Sequence, residues 1–489
     1  MSEFSEYCKH CMRACGTNIY QISKASGLDR TTLQRMVNGT RLPGEEFIEI
    51  FSRYLRLSPS EKKHLTTLYQ IEKIGRPVYE NRLYIKYLLT QLDAIQREIA
   101  EPGILNTLVA DNTETYEGTI PQMLSSPTQV KAALSHLVGY EFSNEERPSF
   151  FMNLVFEDSY IYELLIRQSH NCKKEVAINH LLTLNKNTCN ESDNYNLKLV
   201  KSILPYALYF TNSYNAYYCY SSNPSEYNLA TLFPFFIITK HHVLVMEPEY
   251  KRGILYHDQA VVIAYTSGFN HLKTNYVPFI SQDYARLESL NQFVQLMATS
   301  EPLTYALDSQ PCITSMMNPE VISKLIHHGI PDRENFVKLI SKWYGYVLDP
   351  SNRSPKPPVF YFPLKGLWYF AETGKLSGQL AAFTEEIGPK MRIQMLNQIL
   401  KNNEDGIMKT LIIDHEQMTL PSFFTLESHN QNHLILTSLD PEHPLAIIDF
   451  QEPSIGEAFY DFLDSLQKSN VTFSHERSLE LIREAIRSI

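Results

Sequence analysis

The sequence predicts a multidomain protein with an all-α N-terminal domain, a helical connector and a mixed α/β C-terminal body. Three observations support this fold class. First, 489 residues exceed what a single hydrophobic core organises, since cores stop growing at roughly 250–300 residues. Second, short helical patterns separated by Gly and Pro occupy the start of the chain. Third, short apolar runs with turn residues between them, typical of strands, begin near Thr231.

The predicted domain boundaries follow these changes of pattern. The N-terminal domain covers residues 1–75, the helical connector covers 76–228 and the α/β body covers 229–489. Whether the body divides again at the proline-rich segment 350–358 is left open. In the connector, apolar residues at spacings of three and four from Leu83 to Ile99 predict one long amphipathic helix. Further helices are predicted at 130–138, 159–167 and 197–210.

Within the body, apolar runs predict strands at 233–238, 243–246, 253–256 and 260–264. Helices are predicted next at 283–299, 319–328 and 333–346. Beyond the proline-rich segment come a helix at 389–401, strands at 409–413, 433–436 and 445–450, and helices at 454–466 and 475–486. Strands followed by an aromatic helix thus occur near 233–273 and near 433–466, which fits either a degenerate duplication or chance similarity.

Residues 17–27 predict a short helix followed by a tight turn. Thr17 is a candidate N-cap, and Ile19, Ile22 and Ala25 fall on one side of the helix that it opens. Gly27 ends the helix where a left-handed residue is needed. A second helix therefore begins only a few residues later.

The second helix begins after Asp29, which is a candidate N-cap, and ends at Asn38-Gly39. Its predicted buried side consists of Leu33, Met36 and Val37.

The outward side of this second helix is rich in hydrogen-bond donors. Thr31, Arg35 and Asn38 lie opposite the apolar side, Gln34 lies on the flank, and Arg30 projects from the first turn. None of the five is acidic. In the major groove of DNA, Arg pairs with guanine, Gln or Asn pairs with adenine, and the Thr methyl group contacts thymine. The pattern therefore favours a DNA-reading helix over a purely structural helix pair.

Residues 17–58 resemble the helix-turn-helix of the phage Cro/repressor, or XRE-type, regulators. The resemblance rests on Ser23 after the apolar position of the first helix, on Gly27, and on the segment 38–43, Asn-Gly-Thr-Arg-Leu-Pro. The next helix packs through Phe47, Ile50, Phe51, Tyr54 and Leu55. Ile19 departs from the pattern, because the family often places a DNA-contacting glutamine there.

The resemblance implies that Arg30, Thr31, Gln34 and Arg35 face bases and that Asn38 and Arg41 lie near phosphates. The candidate DNA-binding residues are Arg30, Thr31, Thr32, Gln34, Arg35, Asn38 and Arg41.

The charge distribution agrees with a nucleic-acid partner for the N-terminal domain alone. The whole chain carries a net charge of −10, but the first 100 residues carry +4 and the remaining 389 carry −14. A basic head on an acidic body suits a small DNA-reading module attached to a domain that does not adhere to phosphate.

Other site classes find little support in the sequence. No apolar run approaches the 18 to 20 residues of a membrane span, and no signal peptide is evident, so we expect a cytoplasmic protein without a membrane partner. Cys8, Cys11 and Cys15 are either a buried apolar stripe or a thiol sensor, and the doublets 241–242 and 327–328 lack the spacing of helical histidine ligands. We expect no metal and no cofactor.

The tyrosine-rich segment 206–227 fits either an aromatic ligand pocket or ordinary packing between helices and a sheet.

The leading functional hypothesis is a one-component transcriptional regulator that is not an enzyme. It binds double-stranded DNA as a homodimer, and its body senses a small molecule or a peptide and controls the geometry of the dimer. One alternative is an enzyme or defence effector that carries a DNA-binding head. Another is an interaction scaffold with a vestigial helix-turn-helix.

Overall fold

The computed structural model describes residues 2–100, 120–154, 160–186, 194–210, 213–221, 233–280, 302–313, 317–330, 332–348, 356–376, 384–421, 424–438 and 446–489. The chain folds into two compact units. The first is Met1–Leu83, and the second comprises Tyr84–Thr188 and Tyr195–Ile489.

The first unit is entirely helical. Its helices are α1 (Glu3–Ala14), α2 (Ile19–Ser26), α3 (Arg30–Val37), α4 (Glu45–Tyr54) and α5 (Pro59–Ile74). They surround a small core in which Cys8, Ile22, Leu33, Met36 and Phe51 are fully buried. The long helix α6 (Arg76–Ala100) follows Gly75 and confirms the predicted helix between Leu83 and Ile99.

The helices of the second unit include those predicted around 130, 160 and 200. They are α7 (Pro127–Asn144), α8 (Tyr160–Cys172), α9 (Tyr195–Tyr209), α10 (Gln259–Lys273), α11 (Pro319–Leu325), α12 (Arg333–Leu348), α13 (Leu364–Thr373), α14 (Pro389–Glu404), α15 (Pro453–Leu466) and α16 (His475–Ser488). None of the described helices is long and apolar enough to cross a bilayer.

The first sheet of this unit contains eight described strands in the order β1-β7-β6-β5-β2-β3-β4-β8. Their bounds are β1 (Gln122–Leu124), β2 (Ser149–Asn153), β3 (Ala177–Asn185), β4 (Tyr214–Ser221), β5 (Phe235–Ile238), β6 (Val243–Met246), β7 (Gly253–Tyr256) and β8 (Val277–Ile280). β2, β3 and β4 are parallel, whereas β5, β6 and β7 form an antiparallel meander beside β2.

The second sheet contains six described strands in the order β11-β10-β9-β12-β13-β14. They are β9 (Tyr305–Asp308), β10 (Val359–Pro363), β11 (Lys409–Ile413), β12 (Phe424–Asn430), β13 (His433–Ser438) and β14 (Ala446–Phe450). Here β9, β10 and β11 are parallel, and β12, β13 and β14 form the antiparallel meander beside β9.

The two sheets therefore share one connectivity: three parallel strands, then a three-stranded meander added beside the first of them. A helix with an acidic N-cap follows each meander, α10 after Asp258 and α15 after Glu452. An antiparallel pairing with the third parallel strand comes next, β8 with β4 in one sheet and Thr472 with Ile413 in the other. The repeated order of strands and a helix that the sequence indicated is thus present in the topology, and it extends to the parallel strands before each meander.

Some predicted elements differ from the observed ones. Residues 260–264, a predicted strand, lie inside α10, because Asp258 accepts hydrogen bonds from the amides of Ala260 and Val261 and so starts a helix. No strand was predicted before Thr231, yet β1 to β4 lie there. The first sheet also runs across residue 229, since β5 pairs with β2. The predicted helix 283–299 and most of segment 350–358 lie outside the described residues.

Tyrosines from the tyrosine-rich segment lie in the core of the second unit. Tyr206, Tyr214 and Tyr218 are buried, and the rings of Tyr206 and Tyr214 stack with centroids 5.6 Å apart. Tyr214 also shares a 2.9 Å hydrogen bond with buried His180, whose other ring nitrogen lies 2.7 Å from the Leu154 carbonyl oxygen. These three tyrosines fit the packing alternative.

The histidine doublet 241–242 is partly buried: His241 is half-exposed and His242 is buried. Its ring centroid lies 4.9 Å from that of His257 and 5.9 Å from that of His136 on α7. Burial, together with the neighbouring histidines, lowers the pKa of His242 to about 3. The side chain therefore stays neutral in the folded protein at neutral pH.

This shift predicts that acid destabilises the second unit. The unfolded His242 binds a proton near pH 6.5, so its contribution is complete above that pH and is lost as the pH falls toward about 3. Between pH 7 and pH 5 the contribution lost amounts to about 2 kcal/mol. Denaturant unfolding of wild type and His242→Leu at both pH values measures it. We expect the variant to lose about 2 kcal/mol less, and equal losses would contradict the assignment.

Candidate nucleic-acid interface

The core of the first unit holds α2 and α3 at fixed positions. Ile22 of α2 and Leu33 and Met36 of α3 are completely buried, and Phe51 of α4 packs in the same cluster. Burying a side chain of this size contributes roughly 1.5–3 kcal/mol. The outward side of α3 is therefore presented by a packed support.

The start of α2 differs by one residue from the prediction. The N-cap is Asn18, not Thr17: the Asn18 side chain accepts a hydrogen bond from the Gln21 amide at 3.0 Å. In return, the Asn18 amide donates to the Gln21 side chain at 3.2 Å, which completes a capping box. Ala25, predicted on the buried side, is exposed, because only Ile22 of α2 is fully inserted in the core.

The turn between α2 and α3 forms as predicted. Gly27 has φ +75°, in the left-handed region that side chains with a Cβ adopt only at a cost. Leu28 then turns into the core, where it is buried. The sharp turn fixes the angle at which α3 leaves α2.

The first turn of α3 is capped by Asp29, as predicted. One Asp29 carboxylate oxygen accepts hydrogen bonds from both the amide and the hydroxyl of Thr32, each 2.7 Å long. The hydrogen bond from the Thr32 hydroxyl lowers the pKa of Asp29 most, and the hydrogen bond from the Thr32 amide lowers it further. The carboxylate is thereby kept ionised at the positive end of the helix. The Thr32 hydroxyl is thus committed to the cap, and its side chain is only partly exposed.

The exit from α3 is also held in place. Gly39 has φ +71°, and the Thr40 amide donates to the Arg35 carbonyl oxygen at 2.9 Å. Farther on, the buried Tyr69 hydroxyl donates to the Pro43 carbonyl oxygen at 2.7 Å. The segment that carries Arg41 is therefore attached at both ends.

Six of the seven candidate DNA-binding residues are exposed, and Thr32 is the partly exposed one. The exposed six are Arg30, Thr31, Gln34, Arg35, Asn38 and Arg41. The structure brings them together on the outward side of α3 and on the segment that follows it.

This side of the first unit is nearly free of acidic groups. Between residues 15 and 44 the only carboxylate is Asp29, whereas Lys24, Arg30, Arg35 and Arg41 are cationic. Two carboxylates elsewhere in the unit lie close to cations: Glu45 lies 2.9 Å from Lys73, and Glu3 lies 2.8 Å from Arg76. The surface around α2 and α3 therefore carries an excess of positive charge, which would attract a phosphate backbone.

Two of the three cysteines, Cys8 and Cys11, fit the apolar-stripe alternative, whereas Cys15 lies just after α1 and outside the stripe. Cys8 and Cys11 are buried in the core of the unit, and burial raises the pKa of both thiols. A raised pKa suppresses the reactive thiolate. Cys15 is exposed, and its thiol donates to the Leu55 carbonyl oxygen.

Two side chains near α3 were not among the candidates. Tyr20 is 57% exposed on α2, and the guanidinium carbon of Arg30 lies 5.9 Å from the centroid of its ring. Lys24 is exposed on the same helix. A large aromatic residue on the side of α2 opposite Ile22 was the available sequence signal.

Comparison with known proteins agrees with this geometry. A family model described as helix-turn-helix matches residues 9–62, so the N-terminal module is a helix-turn-helix of the XRE type, a DNA-binding module. No curated protein matches the chain.

Two solved structures resemble the chain weakly. The archaeal chromatin protein TrmBL2, whose structure is reported to show a novel mode of DNA binding, matches at 11% identity and a TM-score of 0.22, over 53% of this chain and 98% of its own. Phosphatidylserine synthase from Haemophilus influenzae Rd KW20 matches at 9% identity and a TM-score of 0.23, over 75% of this chain and 93% of its own. Similarities at these scores carry no argument about function.

Proposed function

We propose that the chain is a sequence-specific transcriptional regulator that inserts α3 into the major groove of duplex DNA in the cytoplasm. The observation that carries the proposal is the exposed, acid-poor outward side of α3, which is rigidly supported and capped. Arg30 and Arg35 would contact guanines, Gln34 an adenine and Thr31 a thymine methyl group. Asn38 and Arg41 would contact phosphates, which set the register of the helix in the groove.

The active species is proposed to be a homodimer. One helix-turn-helix buries too little DNA for high specificity, and a two-fold pair reading half-sites about one helical turn apart overcomes this limit. The exposed apolar side chains Leu83 and Tyr87 of α6 support pairing through that helix, since they are 51% and 47% exposed.

The second unit is proposed to sense an effector rather than to catalyse a reaction. A groove of about 530 Å³ lies between α10, the start of β2 and the turn after β5. Hydroxyl and amide side chains line it, among them Thr239, Gln259, Thr266 and Asn270, with Phe151 as an apolar wall. Lys240 also lines the groove, and its ammonium nitrogen lies 2.8 Å from a Glu145 carboxylate oxygen. The described lining contains no carboxylate, so it favours a polar, hydroxyl-bearing molecule over a cationic one.

A cell-metabolite extract tests this groove. Adding the extract should change the DNA affinity of the wild-type protein. It should not change the DNA affinity of Ser267→Trp, in which the indole fills the groove. An equal response in both proteins would place the effector site elsewhere.

The DNA-binding proposal is tested with the full-length protein and a randomised duplex pool. We expect enrichment of a palindromic motif and binding that weakens steeply between 50 and 200 mM salt, through counterion release. No enriched motif would overturn sequence-specific recognition. Affinity that does not change with salt would overturn phosphate contact altogether.

Arg41→Ala separates phosphate contacts from base contacts. Because Arg41 follows α3 rather than lying on it, we expect the variant to bind preferred and scrambled duplexes more weakly by the same factor. The slope of log affinity against log salt should fall by about one. A loss confined to the preferred duplex would show instead that Arg41 reads a base.

A further inference from the structure

Tyr20 and Arg30 form a contact that neither the helix cores nor the caps require. Tyr20 is the second residue of α2, and Arg30 is the first residue of α3. The ring is 57% exposed, and the guanidinium carbon lies 5.9 Å from its centroid. A ring this exposed contributes little to the core of the unit, and its contact with the Arg30 guanidinium is a cation–π interaction at the surface.

The backbones on both sides of this contact are fixed. The capping box between Asn18 and Gln21 holds the first turn of α2, and the Asp29 cap holds the first turn of α3. The adjustable parts are therefore the two side chains themselves. Within the part of the chain that the structure describes, no carboxylate lies within ion-pair distance of Arg30. The guanidinium is therefore not drawn away from the Tyr20 ring by an ion pair.

A free arginine side chain loses rotamer entropy when it is fixed in one conformation. A ring that already restrains the guanidinium removes part of that loss before DNA arrives. Two parallel hydrogen bonds to a guanine edge demand a defined orientation of the guanidinium plane. Restraining the Arg30 guanidinium would therefore increase the preference for guanine at the one base pair that Arg30 contacts.

We propose that Tyr20 is a positioning residue that orients Arg30 for bidentate recognition of a guanine. The inference rests on the proposed function, because it requires α3 to enter the major groove. It adds a specificity determinant on α2, at a position outside the candidate set on α3.

The test uses full-length Tyr20→Phe, Tyr20→Ala, Arg30→Ala and the Tyr20→Ala/Arg30→Ala double variant. Dissociation constants are measured on the selected duplex and on a duplex in which the base pair sensitive to Arg30→Ala is exchanged. Tyr20→Ala should bind the selected duplex about 2- to 5-fold more weakly, the range that an exposed cation–π contact allows. The ratio of its dissociation constants on the exchanged and the selected duplex should fall by the same factor, and only for that base pair. Tyr20→Phe should behave like wild type.

In the Arg30→Ala background, removal of the ring should cause no further loss, because its effect acts through the arginine. Independent, additive losses would overturn the inference, as would wild-type discrimination in Tyr20→Ala. An unchanged thermal midpoint of Tyr20→Ala shows that the fold is intact. Failure of wild type to select any motif would reject the proposed function itself, whereas a selected motif with an inert Tyr20 rejects only the positioning role.

Discussion

Replacing Arg35 with alanine is expected to weaken binding to the selected duplex by about 5- to 150-fold, with the loss confined to one base pair per half-site. Arg35 lies on the exposed side of α3, opposite the buried Leu33 and Met36, so its side chain is free to reach a guanine edge. Titration of the variant against duplexes mutated one base pair at a time measures the effect.

The matched control for this experiment is Arg53→Ala. Arg53 is an exposed arginine of the same module, but it lies on α4, where it pairs with Glu49 at 3.9 Å. The control should bind with wild-type sequence preference. If Arg35→Ala and Arg53→Ala weakened all duplexes alike, Arg35 would be a phosphate contact, and the base-reading assignment would be wrong.

Gly366→Ala is expected to destabilise the second unit by about 3 kcal/mol, although alanine is the better helix former. Gly366 lies in the first turn of α13, where an added Cβ would come within 2.0 Å of the Ser309 carbonyl oxygen and 3.3 Å of the Gln310 Cα. Both obstacles are backbone that follows β9, so they cannot move aside as a flexible side chain would. Denaturant unfolding followed by circular dichroism measures the change.

Gly268→Ala supplies the opposite expectation. Gly268 lies in α10, where an added Cβ meets nothing within 4 Å. The substitution should therefore stabilise the protein by roughly 0.5–1 kcal/mol through helix propensity alone. Equal effects of the two substitutions would show that α13 does not approach the backbone after β9 as closely as the structure indicates.

The DNA-binding module was largely predictable because its signals are local. The Asp29 cap, the Gly27 turn and the spacing of Leu33, Met36 and Val37 each act within a few residues, and the structure confirms them. The N-cap of α2 was misplaced by one residue, because Thr17 and Asn18 are both good caps. The preference was decided by Gln21, whose side chain closes the box with Asn18.

The body was predicted less well because its signals are ambiguous or distant. Residues 260–264 are rich in β-branched residues, which favour strands, but the Asp258 cap starts a helix there. β3 is buried on both faces along much of its length, so its apolar and polar residues do not alternate as they do in a half-buried strand. Tyr217 and Tyr218 point to opposite faces of β4, so aromatic content alone did not reveal which side is core.

By itself, the sequence determined the local elements of this protein: the caps and the turn of the helix-turn-helix, the donor-rich side of α3, the long α6 and the last helices of the chain. Only the tertiary structure decided the order of the strands, the burial of His242 beside His136 and His257, the approach of Tyr20 to Arg30, and the shared connectivity of the two sheets. The physical reason is the sequence separation over which each interaction acts. Caps and helical periodicity act over a few residues, whereas β2 pairs with β5 some eighty positions away, and such pairing depends on the complementarity of whole surfaces.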